Sequence, residues 1–210
     1  MSVAVLISIR PKYCELIASG KKTIEIRKSR PKIATPFKCY IYCTACKSYF
    51  RATEHMAFGD DELYRDEGRN IKYGSSIELM CAENYDSSYF LNRKVIGEFV
   101  CDDIDEVSVH YDTLYCVNNT QPKKLTQACL TLEQVRTYLG KQNHGYTWHI
   151  SGLVIYDKPK ELSEFLKPCP HGDVSCFLCD KSGYSEDMHI DCFNKLTRAP
   201  QSWCYVEELL

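Results

Sequence analysis

One stretch near the start of the chain decides how it folds: LISIRPKYCELIASGKKTIEIRK, residues 6–28. An apolar run over residues 3–9 predicts a first strand. The segment from Pro11 to Ser19 predicts a helix, which Gly20 ends. Residues 23–27 then alternate between polar and apolar side chains, as a strand with one buried face does. The stretch therefore predicts a strand, a helix and a second strand in close succession.

The polar face of the second strand is the predicted site. Thr23, Glu25 and Arg27 point to one side, because successive side chains of a strand alternate, and Lys21 and Lys22 stand at its entrance. Such a face can bind a polar ligand: Lys22 and Glu25 can serve as acid and base in a partly dry cleft, and Arg27 can hold a phosphate with two hydrogen bonds. The alternative is a solvated face on which Glu25 and Arg27 pair with each other or across strands.

Composition narrows the classes of function. The 210 residues carry a net charge of −2, which excludes broad, charge-driven binding to nucleic acid and leaves a local pocket or patch. No apolar run reaches the roughly 18 residues that a membrane span needs, and no basic segment precedes the first apolar run. We therefore expect a cytoplasmic protein without membrane contact, whose 13 cysteines are thiols and metal ligands.

The remaining patterns predict an α+β fold, a small mixed β-barrel with a few short helices, over one domain spanning residues 1–210. Further strands are predicted at 37–44, 76–81, 94–100 (continuing toward 107), 147–156 and 202–206, and short helices at 132–139 and 160–165. Thr131 is the predicted N-cap of the first of these helices. Residues 45–75 are polar and weakly periodic, which predicts an insertion.

A second insertion, residues 168–195, is rich in cysteine and histidine. A C-x2-C pair allows two thiolates to reach one ion, and two further ligands complete a tetrahedral shell. The predicted ligands of a structural zinc ion are Cys169, Cys176, Cys179 and Cys192. His171 or His189 can replace one thiolate, and the alternative is a set of buried thiols without metal.

Several motifs together resemble the ASCH domain family of PUA-like β-barrel proteins. They are SIRP (8–11), GKKTIEIR (20–27), VIGEF (95–99) and WHI (148–150), and RAPQSWCYV (198–206) resembles a branch found in bacteriophages and prophages. The resemblance implies a PUA-like fold with a cleft beside the 20–27 strand. It also implies that the cleft binds RNA, a single-stranded nucleic acid, or a modified nucleobase or nucleotide.

The resemblance also bears on catalysis. Some members of the family remove the acetyl group of N4-acetylcytidine with a lysine, a nucleophilic threonine and a glutamate, and others are ribonucleases. Lys22 matches the hydrolase lysine, but Glu25 stands where the nucleophile is expected; Glu78 and Glu98 are both candidates for the distant glutamate. A binding module is therefore favoured over an enzyme that uses Lys22 and Glu25. A third alternative is a phage accessory protein that binds a host protein through its insertions.

Three further residues are candidates for ligand contact. Trp148 can stack on a base, although a core position is commoner for a tryptophan. His149 lies on the opposite face of the same strand and is either a titrating site residue or an ordinary histidine. Arg10 precedes the first helix and can meet a phosphate at its N-terminus.

Overall fold

The computed structural model describes residues 2–45, 49–53, 71–72, 76–80, 91–111, 113–117, 125–168 and 195–209. Most of the regular structure in this part of the chain is strand. The strands are β1 (Val3–Ile9), β2 (Ile24–Arg27), β3 (Phe37–Cys43), β4 (Tyr49–Thr53), β5 (Ile71–Lys72), β6 (Ser76–Met80), β7 (Val95–Cys101), β8 (Ile104–His110), β9 (Thr113–Cys116), β10 (His144–His149), β11 (Ser151–Lys160) and β12 (Trp203–Glu207). The helices are α1 (Pro11–Ala18), α2 (Leu125–Ala128) and α3 (Leu132–Leu139), with 3-10 turns at Gly140–Gln142 and Leu162–Glu164. The predicted mixture of many strands and few short helices is confirmed.

The described strands form three sheets. The largest has the order β12-β1-β3-β7-β11-β5, in which β1 and β3 are parallel and the other neighbours antiparallel. The second is antiparallel with the order β2-β10-β8-β9, and β4 pairs with β6 in a separate ribbon. The predicted small mixed β-barrel is not closed among the described residues. There the two larger sheets pack through a shared core, and no strand of one pairs with a strand of the other.

The central strands of the large sheet are buried on both faces. In β1, Val5, Ile7 and Ile9 pack into the core between the two larger sheets, whereas Ala4 and Leu6 pack into a second core on the other side. A strand covered on both faces shows a continuous apolar run in place of alternation. This explains the uninterrupted apolar residues at the start of the chain.

The chain passes between the two larger sheets at two corners. Asp102 and Asp103 separate β7 from β8, and Ile150 separates β10 from β11. The predicted single strand over 147–156 is therefore wrong, because its two halves belong to different sheets. Gly152 follows the second corner with a φ of 53°, a left-handed conformation that favours glycine. The corners are joined by a 2.6 Å hydrogen bond between His149 Nδ1 and Asp102 Oδ1.

Local hydrogen bonds mark the end of α1 and the start of α3. The predicted first helix is confirmed as α1, and Gly20, with a φ of 71°, donates its N–H to the Ile17 carbonyl as the chain leaves it. The predicted N-cap of α3 is also confirmed. The Gln134 N–H donates to Thr131 Oγ1 at 3.2 Å, and the Thr131 N–H donates to Gln134 Oε1 at 2.9 Å, which is a capping box.

Most of both predicted insertions lies outside the described residues. Within 45–75, the structure describes residue 45 and the strands β4 and β5, and β6 confirms the strand predicted at 76–81. Residues 169–194, with all the predicted zinc ligands, are not among the described residues. In the part that is described, no helix has the length and apolar character that a membrane crossing requires.

Candidate functional site

A pocket of about 730 Å³ opens beside β2. Its floor is β2 together with Lys22, one wall is the junction of β1 and α1, and the facing wall is one side of α3. The lining residues are Ser8, Ile9, Arg10, Tyr13, Lys22, Glu25, Ile26, Arg27, Thr44, Leu130, Glu133, Gln134, Thr137, Tyr138, Gln201 and Ser202. This volume falls within the range of about 300–1,000 Å³ that is typical of small-molecule sites.

Three charged side chains meet at the floor of this pocket. Glu25 Oε2 lies 3.2 Å from Lys22 Nζ, and Glu25 Oε1 lies 3.1 Å from Arg27 Nη2. The side chains of Lys22, Glu25 and Arg27 are only 1%, 10% and 7% exposed. The predicted solvated strand face is therefore wrong, and the ion pair that this alternative also contained is present in buried form. We call these three residues the ion cluster; its net charge is +1.

Backbone carbonyls from distant parts of the chain complete the ion cluster. Lys22 Nζ donates to the Ala128 carbonyl at 2.7 Å, and Arg27 Nη2 donates to the Ser8 carbonyl at 2.7 Å. Arg27 Nη1 lies 3.3 Å from the Ser202 carbonyl and 3.4 Å from its hydroxyl. The cluster thus joins β2 to α2, to β1 and to the segment before β12. Because buried charges need partners, these contacts fix the position of the floor.

One donor of the ion cluster is left over. Arg27 has five N–H groups, and Nη1 and Nη2 contact Ser8, Glu25 and Ser202. Arg27 Nε is buried and has no hydrogen-bond partner among the described residues. An unpaired buried donor of this kind costs about 1–3 kcal/mol. The Nε donor therefore stays unsatisfied within the floor of the pocket.

The residues of α3 that line the pocket recur at helical spacing. Within α3, the residues that line the pocket are separated by one, three and one positions, as on one face of a helix; they are Glu133, Gln134, Thr137 and Tyr138. Leu130 extends this wall just before the helix begins. The opposite face buries two apolar side chains in a core beneath the smaller sheet; they are Val135 and Leu139. α3 therefore joins the core of the smaller sheet to the pocket.

Two tyrosines give the pocket aromatic surface. Lys22 Nζ lies 5.4 Å from the ring centre of Tyr13, and Lys28 Nζ lies 5.5 Å from that of Tyr138, distances typical of cation–π contacts. Burial raises the pKa of Tyr138; the positive charge of Arg27 opposes this shift, and the negative charge of Glu25 adds to it. Tyr138 is therefore a neutral hydrogen-bonding group at neutral pH.

The predicted site residues divide into two groups. Arg10, Lys22, Glu25 and Arg27 all line the pocket. Lys21 and Thr23 do not. Lys21 is exposed, and Thr23 uses its backbone to join β2 to its surroundings, donating to the Gln127 carbonyl and accepting from the Ile150 N–H.

The aromatic residue predicted to stack on a base is in the core. Trp148 is fully buried, and its ring centre lies 5.9 Å from those of Phe37 and of Trp203. It faces the large sheet because β10 lies between two cores, so no surface of its ring meets the pocket. His149 lies at the corner after β10, where it bonds Asp102, and does not line the pocket either. The stacking prediction for Trp148 is therefore wrong, and ligand contact by His149 stays a prediction outside this pocket.

Sequence reasoning missed Tyr13, Tyr138 and the polar face of α3. The spacing of residues 130–138 was available as a signal, because their polar side chains fall on the face opposite Val135 and Leu139. The spacing does not indicate which part of the protein this face contacts. The sequence does not show that α3 faces β2 across the pocket, because more than a hundred residues separate the two elements.

The predicted zinc ligands and the two candidate glutamates do not contribute to this pocket in the described part of the chain. Among the described residues, no three histidine, cysteine or acidic side chains come together as a metal site. The predicted ligands Cys169, Cys176, Cys179 and Cys192 lie outside these residues, as do His171 and His189, so the zinc site stays a prediction. Glu98 accepts a hydrogen bond from the Tyr156 hydroxyl and pairs with Lys38, away from the pocket. For Glu78, the structure describes the backbone in β6 and not the side chain.

Comparison with known proteins finds one family to which part of the chain is similar. The model of the ASCH domain family matches residues 7–57, a segment that contains α1, β2 and the whole ion cluster. This segment of the chain is therefore similar to the ASCH domain. It supplies the floor and the α1 wall of the pocket, whereas the α3 wall lies outside it. The predicted phage branch and the zinc-bearing insertion stay predictions.

Solved structures similar to this chain include proteins from Zymomonas mobilis. The crystal structure of ASCH from that organism is 18% identical, with a TM-score of 0.45 over 76% of this chain and 73% of the other. A tyrosine-to-phenylalanine mutant of it gives the same identity and TM-score over 76% of each chain. No curated protein matches the sequence.

Proposed function

We propose that this ASCH domain binds RNA and takes one nucleotide, or a modified nucleobase, into the pocket beside β2. The observation that carries the proposal is the ion cluster. A lysine, a glutamate and an arginine converge at the floor of one pocket, where they offer both donors and an acceptor to a ligand. Binding elements of this kind are characteristic of sites that recognise the polar edge of a base.

The surroundings of the ion cluster favour a nucleotide over a purely ionic ligand. Two tyrosines and Leu130 provide the aromatic and apolar surface against which a base can pack, and Gln134 and Thr137 offer hydrogen-bonding groups. The chain's net charge of −2 agrees with recognition in a local pocket. Binding of a single nucleotide in a local pocket does not need an extended basic surface.

The test is fluorescence anisotropy with a short, labelled single-stranded RNA, compared with DNA of the same sequence. Thr137→Trp places a large side chain in the pocket without touching the ion cluster, so it should weaken binding by more than about tenfold. Lys141→Trp is the matched control, because Lys141 is exposed and does not line the pocket. Equal affinity of the parent and the Thr137→Trp protein would remove the pocket from the proposal.

The ion cluster is tested separately. Glu25→Ala combined with Arg27→Ala removes an anion and a cation together, so the charge of the cluster stays +1. We expect this double variant to bind RNA more weakly than the parent. Its folded fraction has to be measured by circular dichroism under the same conditions, because both side chains are buried. A folded double variant with parental affinity would contradict the assignment of these two residues.

A second candidate function is hydrolysis of RNA or of an acylated nucleoside. The 3.2 Å contact between Lys22 and Glu25 supports it, because an acid–base pair needs two groups within hydrogen-bonding reach at the ligand site. Turnover of RNA or N4-acetylcytidine that disappears in Lys22→Met would favour this function. Absence of turnover on both substrates, in folded protein that binds RNA, would leave the binding module.

A further inference from the structure

The two walls of the pocket differ in charge. The wall formed by β1 and α1 carries Arg10 and no acidic residue, whereas the α3 wall carries Glu133 and no basic residue. We propose that the pocket fixes the orientation of a nucleotide, with its phosphate against Arg10 and its base against Tyr138. This inference rests on the proposed function and names the ligand as a nucleoside monophosphate unit.

The α1 wall is suited to an anion. Arg10 is exposed and forms no ion pair with any described residue, so its guanidinium is available to a ligand. It is also the N-cap of α1, and its side chain makes no capping hydrogen bond. The positive end of the helix dipole therefore faces the same wall, although Pro11 removes one N–H there.

An independent observation on the floor points to the same ligand group. Arg27 is 7% exposed as a side chain and lines the pocket, and its Nε has no partner among the described residues. Arg27 Nη2 donates to the carbonyl of Ser8, two residues before Arg10, so this floor arginine contacts the strand that leads to Arg10. A phosphate oxygen would give this part of the pocket the acceptor that the chain does not supply.

The α3 wall is suited to a base and unsuited to a phosphate. Glu133 would repel an anion on this side, because like charges at close range raise the free energy of binding. Tyr138 contributes an aromatic ring that is 38% exposed, and Gln134 and Thr137 can bond the edge of a base. A stacked base gains about 1–3 kcal/mol from such a ring.

Calorimetric titration with the four ribonucleosides and their 5′-monophosphates tests the orientation. Arg10→Gln should weaken binding of the monophosphates roughly tenfold and leave the affinity of the nucleosides unchanged. Tyr138→Leu should weaken both series by about 5- to 100-fold. The matched controls are Lys12→Gln, an exposed cation of α1 outside the pocket, and Tyr111→Leu, a tyrosine that is 94% exposed and does not line the pocket.

Two different failures can be told apart. If the monophosphates bind but Arg10→Gln weakens nucleosides and monophosphates equally, the orientation is wrong and the proposed function stands. The orientation is also overturned if Arg10→Gln behaves like Lys12→Gln, or Tyr138→Leu like Tyr111→Leu. If neither series binds, and RNA does not bind either, both the orientation and the proposed function fall.

Discussion

Replacing Glu25 with glutamine should destabilise the fold by about 3–5 kcal/mol. The carboxylate lies 3.2 Å from Lys22 Nζ and 3.1 Å from Arg27 Nη2. At an effective dielectric constant of about 20, each contact is worth about 5 kcal/mol of attraction. That attraction offsets the several kcal/mol that each ion loses on leaving water. Without the anion, two cations stay buried with their desolvation cost and no opposite charge.

Urea denaturation measures this effect, with the fluorescence of the two tryptophans as the signal. Both lie in or against the core between the two larger sheets and should report its loss. Glu133→Gln is the control, because it removes a carboxylate from the exposed rim of the same pocket and should change stability by less than about 0.5 kcal/mol. A Glu25→Gln protein within about 1 kcal/mol of the parent would refute the buried ion cluster.

Other predictions concern the corners, the large sheet and the metal. Burial alone would raise the pKa of Asp102, but the hydrogen bond from His149 lowers it. The stability that Asp102 adds is therefore present above its usual pKa and is lost as pH falls through the lowered value. The difference in stability between the parent and Asp102→Asn, measured over a pH series, should close in acid. Gly97→Ala should cost about 1–3 kcal/mol in urea denaturation, because the new Cβ would lie 2.3 Å from the Val154 carbonyl oxygen; a neutral result would contradict the tight β7–β11 approach. Elemental analysis should give about one zinc ion per chain, and less than about half would contradict the predicted cysteine site.

Local sequence signals predicted much of the floor of the pocket. The strand after Gly20 alternates so that Glu25 and Arg27 share a face, and the 3.1 Å contact between Glu25 Oε1 and Arg27 Nη2 confirms this. The cap of α3 at Thr131 is equally local, since it depends on a residue three positions away. Such features depend on backbone periodicity and short-range hydrogen bonds, which a sequence displays directly.

Features that depend on distant packing were not predictable in this way. The burial of Lys22 requires the Ala128 carbonyl, which α2 brings to it across more than a hundred residues. Trp148 was expected at the site, but β10 lies between two cores and the ring points into one of them. The strand break at Ile150 depends on the two sheets between which the chain passes, although Gly152 marks the place.

In the proposed function, the pocket beside β2 receives a nucleotide of RNA. The most direct measurement is the change in amide NMR shifts when unlabelled single-stranded RNA is added to isotope-labelled protein. We predict that the largest changes fall on residues 22–27 and 133–138, which form the floor and the α3 wall. Large changes confined to other surfaces, with these two segments unmoved, would contradict the claim.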